Sequence, residues 1–151
     1  MNAVGLTGND TLTLNNTVLT DFADGNCVEL SFPNDIAQVK TGKNGNSIYA
    51  QNQTGNNGEL KLRLIRGSSD DNFMNNLLIQ QQNNFSGTVL LQGQFVKVIG
   101  NGLGTNSFDT YILSGGVFMK IQEAKENVEG DTEQSVTMYT IKFATVVRVL
   151  T

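Results

Sequence analysis

The stretch Val136-Thr-Met-Tyr-Thr-Ile-Lys-Phe-Ala-Thr-Val-Val-Arg-Val-Leu150 alternates apolar and polar residues over most of its length. Successive side chains of a strand point to opposite faces, so Tyr139, Ile141, Phe143, Val147 and Val149 share one face while Lys142 and Arg148 point away. A strand with one buried and one solvated side belongs to an antiparallel sheet. Glu59-Leu-Lys-Leu-Arg-Leu-Ile-Arg66 repeats the pattern, with Leu60, Leu62 and Leu64 inward and Lys61 and Arg63 outward. Shorter runs occur at residues 27–32, where Val28, Leu30 and Phe32 share a face, at 95–99, and at 116–122 through Val117, Met119 and Ile121. Thr alternates with Leu or Val at 11–14 and again at 17–20.

Residues 69–82 break the period of two. Phe73, Met74, Leu77, Leu78 and Gln81 recur at helical spacing, and Ser68, Ser69, Asp70 and Asp71 supply a cap and first-turn acids. Asn83 and Asn84 mark the exit. These patterns predict a single domain over residues 1–151. It is mainly β, with two packed antiparallel sheets in a sandwich or partly closed barrel and one flanking α-helix. Residues 1–20 form an N-terminal arm or strand, 41–58 a long inter-strand loop, and 123–133 an acidic hairpin around Gly130. The expected core includes Val28, Leu30, Leu60, Leu62, Phe73, Leu77, Ile141, Phe143 and Val147.

Composition narrows the chemistry. The chain has 151 residues, 38% of them apolar and 16% charged, and Asn, Gln, Thr and Gly fill the difference. Such a polar, weakly charged, turn-rich chain leans towards β structure. It holds no histidine, which excludes Ser-His-Asp and Cys-His pairs and His-ligated metals. Cys27 stands alone with no cationic neighbour, so it reads as a structural thiol. Gly100-Asn-Gly-Leu-Gly104 lacks the following helix that a dinucleotide fingerprint needs, and reads as a turn. The run Asp21-Phe-Ala-Asp-Gly-Asn26 lacks the alternating ligands of a calcium loop. Dense acids at Asp70 and Asp71 and around Gly130 are explained by helix capping and a solvated tip rather than by a glycosidase pair. We therefore expect no enzyme, no cofactor and no metal site.

The net charge is −4 and the ten basic residues are scattered, unlike the clustered cations of a nucleic-acid binder. No run approaches the roughly 20 apolar residues of a membrane span. Residues 1–10 hold no basic start and no apolar stretch, so we expect no signal peptide.

One segment carries a resemblance. Gly42-Lys-Asn-Gly-Asn-Ser-Ile-Tyr-Ala-Gln-Asn-Gln-Thr-Gly, continuing into Gly58-Glu-Leu-Lys-Leu-Arg-Leu-Ile-Arg-Gly-Ser-Ser-Asp-Asp and Phe73-Met-Asn-Asn-Leu-Leu, resembles the tail tube proteins of contractile-tailed bacteriophages. That family shares its fold with the hexameric ring protein of type VI secretion. The likeness follows the order of elements over residues 20–150 and is most specific over 40–82. It implies six copies closing into a ring, rings stacking into a tube, sheath and baseplate proteins as partners, and DNA passing through the lumen without specific binding. It also implies a place in the virion tail after synthesis in the host cytoplasm. A tail terminator, a baseplate component, or a contractile bacteriocin or type VI tube would read almost the same. A monomeric β binding module is the alternative from another class.

The 41–58 segment is longer than a sheet connection requires, and loops of this length are commonly functional. Its apolar content is confined to Ile48, Tyr49 and Ala50. We expect it to contact a neighbouring ring or subunit, with Ile48 and Tyr49 docking and Lys43, Asn44, Asn46 and Gln53 bonding at the rim. Glu29, Lys61 and Arg63 are the expected lumen-facing residues, with Glu29 and Glu59 offsetting the cations across strands.

Overall fold

A computed structural model describes residues 5–6, 10–23, 27–52, 55–125 and 136–151. Along the chain run β1 (Gly5–Leu6), β2 (Thr11–Leu14), β3 (Thr17–Leu19), β4 (Val28–Ser31), β5 (Ala37–Thr41), β6 (Ser47–Gln51) and β7 (Gly58–Ile65). The helix α1 (Ser69–Asn83) follows, then a 3-10 turn at Phe85–Gly87, β8 (Leu91–Gly100), β9 (Asn106–Phe118), β10 (Glu123–Lys125) and β11 (Val136–Leu150). Among the described residues, nine strands form one antiparallel sheet in the order β3-β2-β8-β9-β11-β7-β4, with β1 added to β8 and β10 to β11. Strands β5 and β6 form a separate two-stranded sheet. The described residues are mainly β with one α-helix, as the alternation predicts.

The large sheet curls into the barrel form of that expectation, and the chain path explains why. Its two edge strands are consecutive in sequence: β3 ends at Leu19, and Phe22 already bridges Leu64 on β7. Three peptide links reach at most about 11 Å, so the edges must adjoin. The core fills the curl with Leu12, Leu14, Leu60, Leu62, Leu64, Leu113, Tyr139, Ile141 and Phe143, and α1 adds Met74 and Leu78. Of the expected core, Leu60, Leu62, Ile141 and Phe143 are fully buried, while Val28, Leu30, Phe73 and Leu77 pack half-buried against them.

Val147 departs from expectation, being 50% exposed. Phe143 and Val146 both face the core, so the parity of β11 shifts by one residue between them. The same shift occurs opposite, where Gly115 sits at φ 67° and β8 slips one residue between Leu91 and Gly93. Beyond this irregularity Val147 and Val149 swing to the outer face. Two other strand readings also shift. Strand β9 ends at Phe118, which points inward, leaving Met119 and Ile121 exposed. Strand β4 ends at Ser31, two residues before Pro33, and Phe32 falls outside it.

The acids at the helix start are not solvated. Ser68 caps α1 by accepting from the Asp71 N–H at 3.2 Å. Asp70, also buried, accepts from the Thr20 and Asp21 N–H groups at 2.5 and 2.8 Å, in the two residues that join the sheet edges. Asp21 returns the contact through its carboxylate, which accepts from the Asp70 N–H at 3.3 Å. Asp71 is 3% exposed and accepts from the Gly67 N–H at 2.9 Å and the Tyr139 hydroxyl at 2.6 Å. At the far end of α1, Gln81 donates to the Phe118 carbonyl and accepts from the Phe118 N–H, both at 2.9 Å, so a side-chain amide completes the end of β9.

Burial and the Asp71 carboxylate hold the Tyr139 hydroxyl far above its ordinary pKa near 10. A raised folded-state pKa gives stability that is complete below the unfolded value and lost as pH climbs above it. Tyrosinate absorbance from Tyr139 should therefore appear together with loss of the β circular dichroism signal, above about pH 10. Tyr139→Phe should remove that late-ionising component. Ionisation of Tyr139 within an intact fold would contradict the arrangement.

Candidate assembly surfaces

The expected loop at 41–58 is largely a hairpin. Strand β6 pairs with β5 from Ala37↔Gln51 to Thr41↔Ser47, and the turn closes with the Gly42 N–H donating to the Asn46 carbonyl at 2.8 Å. Gly45 takes φ 84°, which a residue with a Cβ rarely adopts. The base is tied by the Asn52 N–H to the Ile36 carbonyl (2.8 Å) and by Asn52 Nδ2 to the Asp35 carbonyl (2.7 Å). Every residue of both strands is exposed. A strand wet on both faces needs no hydrophobic period, which is why the alternation did not mark it.

Lys43, Asn44 and Asn46 lie in the turn, and Ile48 and Tyr49 on β6. The structure does not bring Ile48 and Tyr49 onto one patch. Tyr49 pairs with Val39 on one face of the hairpin, and Ile48 with Lys40 on the other. Both are open to solvent, at 73% for Ile48 and 78% for Tyr49. Gln53 lies outside the described residues, as does most of the 123–133 hairpin, whose first strand β10 pairs with β11 from Glu123↔Met138 to Lys125↔Val136. The sequence reading missed Val39 and the exposed Ile36. The only signal for them was their placement just ahead of Gly42.

Glu29, Lys61 and Arg63 do come together, on the outer face of the large sheet. They line a shallow groove of about 410 Å³ with Lys120 and Glu123. Register alternates the charges. Glu29 stands opposite Lys61, Glu59 opposite Lys142, and Arg63 opposite Met138, which Glu123 flanks on the other side. Directly opposed residues have Cβ atoms about 4.5–5.5 Å apart, close enough for opposite charges to offset one another. This surface is charge-balanced rather than acidic. At the other end of the barrel Arg148 grips Asp109 through two bonds of 2.9 and 2.8 Å, and Lys97 pairs with Asp10 at 2.8 Å. The Arg148 contact holds the Asp109 carboxyl below the usual carboxylate range. Among the described residues no group of His, Cys, Asp or Glu converges as a metal would require, and no helix is long and apolar enough to cross a membrane.

Chains from contractile injection systems superpose on this fold over most of their length. A chain of the anti-feeding prophage tube-terminating cap superposes with a TM-score of 0.61 at 10% identity, over 94% of this chain and 88% of that one. A chain of the sheath/tube terminator structure of PVC, an extracellular contractile injection system, gives 0.56 at 12% identity, over 93% and 92%. A chain of the PVC sheath-tube complex gives 0.56 at 13% identity, over 94% and 88%. No protein-family model matches the sequence, and no curated protein matches it.

Proposed function

We infer that the chain is a structural, non-catalytic subunit of a ring in a contractile-tail-type particle, assembling with copies of itself and with sheath and baseplate proteins. The observation that carries this reading is a fold likeness spanning almost the whole length of both chains, to parts of a cap, a terminator and a sheath-tube complex. Those neighbours favour a terminator or related ring component over a subunit of the tube shaft; the six-membered, stacking phage tube is the finer form of the same reading. The hairpin supports it independently. An isolated two-stranded hairpin is marginal in water, so fully exposed β5 and β6 gain stability from a partner surface. A heterologous contact of this kind repeats until a ring closes or a cap stops it. DNA passing through such a ring would meet, on the outer sheet face, cations offset by neighbouring carboxylates, so tight phosphate binding is not favoured there.

The test removes the hairpin alone. Ile36 and Asn52 already form the hydrogen-bonded base, so an Asn-Gly turn can replace Ala37–Gln51 without strain on the barrel. The shortened protein should keep its thermal unfolding midpoint within a few degrees and lose assembly by electron microscopy and mass photometry. Normal rings or tubes from it would refute the role of the hairpin.

A further inference from the structure

The outer face of the sheet is divided. Strands β4 and β7 with the first part of β11 carry the alternating charges, and among the described residues β3, β2, β8 and β9 with the last part of β11 carry none along the rows that register defines. One row runs across five strands as Val18, Thr13, Gln94, Ile112 and Val147, each directly opposite the next. The next row outward runs Thr11, Val96, Thr110 and Val149. Val18 is 52% and Ile112 42% exposed, and Val147 is the residue that the parity shift of β11 turned outward. Beside the first row lies a groove of about 660 Å³ lined by the exposed Val89 and Leu90 together with Thr13, Gln94 and Ile112, with no charged side chain among the described residues of its lining.

We propose that this uncharged groove seats the Val39–Tyr49 face of the β5–β6 hairpin from a second copy of the chain. The inference rests on the ring reading above and names its contact. Three features of the molecule select this occupant. The hairpin face that bears Tyr49 consists of Ala37, Val39, Thr41, Ser47, Tyr49 and Gln51, so both surfaces are free of charge and their contact strips water from no ion. Docking the same face on the other half of the sheet would bury Glu29, Lys61 or Arg63. The lengths also agree, because five-residue strands extend about 17 Å and five paired strands span about 19 Å. Tyr49 is the anchor: a large aromatic ring with few rotatable bonds, entering a groove edged by aliphatic side chains.

Two experiments test the seat. Ile112→Lys places a charge on an exposed lining residue of the groove, away from the core, so folding should be unchanged while the concentration needed for assembly rises at least tenfold. In a Cys27→Ser background, Tyr49→Cys combined with Ile112→Cys should give a ladder of disulfide-linked chains on oxidation. Either cysteine alone should stop at dimers, because only two different sites per chain can propagate. Assembly of Ile112→Lys at the wild-type concentration, or absence of the ladder from assembled protein, overturns the seat. If the hairpin-replaced protein fails to assemble while Ile112→Lys assembles normally, the hairpin still mediates contact but docks elsewhere. A wild-type chain that stays monomeric overturns the ring reading and the seat together.

Discussion

Truncating Phe143 to alanine should cost about 3–5 kcal/mol of unfolding free energy, the largest effect expected of any side chain in the barrel. The ring is fully buried and stands between two glycines, Gly116 on β9 and Gly58 on β7, each its direct cross-strand partner. A Cβ built on Gly116 would come within 2.5 Å of the ring edge, so the ring occupies the space that glycine leaves open. Aromatic side chains covering neighbouring glycines in this way compensate for the packing that glycine lacks. Removing the ring therefore uncovers β9 at Gly116, close to the parity shift that turns β11, while Val146 still covers Gly58. Urea unfolding measures the effect, with a lower midpoint at unchanged slope. The pairing also predicts coupling: Gly116→Ala should be strongly destabilising beside Phe143 and much milder in a Phe143→Leu background. Additive losses would mean that the ring and the glycine do not share that space.

Asp70→Ala should lower stability by about 2–4 kcal/mol, more than a helix-cap substitution ordinarily costs. The carboxylate does more than start α1, because it accepts both N–H groups of Thr20 and Asp21, where the chain crosses from one edge of the sheet to the other. Its loss leaves two donors at the seam without their acceptor and frees the edges that β3 and β4 present. The expected signature is a lower urea midpoint together with faster amide exchange confined to the residues around 17–22. Asp70→Asn retains one acceptor oxygen and should lose less. A uniform change in exchange across the barrel, with no local focus at the seam, would count against the staple.

The order of amino acids alone fixes the β class, the helix with its Ser68 cap, and the inward leucines of β7. Each follows from local periodicity or capping chemistry, which neighbours in the chain decide. It also set the alternation that puts Glu29, Lys61 and Arg63 on one face. Contacts between distant segments settle the rest. Val147 lies outside the core because Gly115 and Ala144 shift the parity of two paired strands, and an alternating string carries no mark of where such a shift falls. Asp70 and Asp71 read as cap and first-turn acids, and their burial depends on Thr20, Asp21 and Tyr139, which lie about 50 and 68 residues away in the chain. Strand β6 was invisible because both its faces meet water, so no burial pattern was written into it. The uncharged rows through Ile112 arise from register across five strands, a property of pairing that no single segment contains.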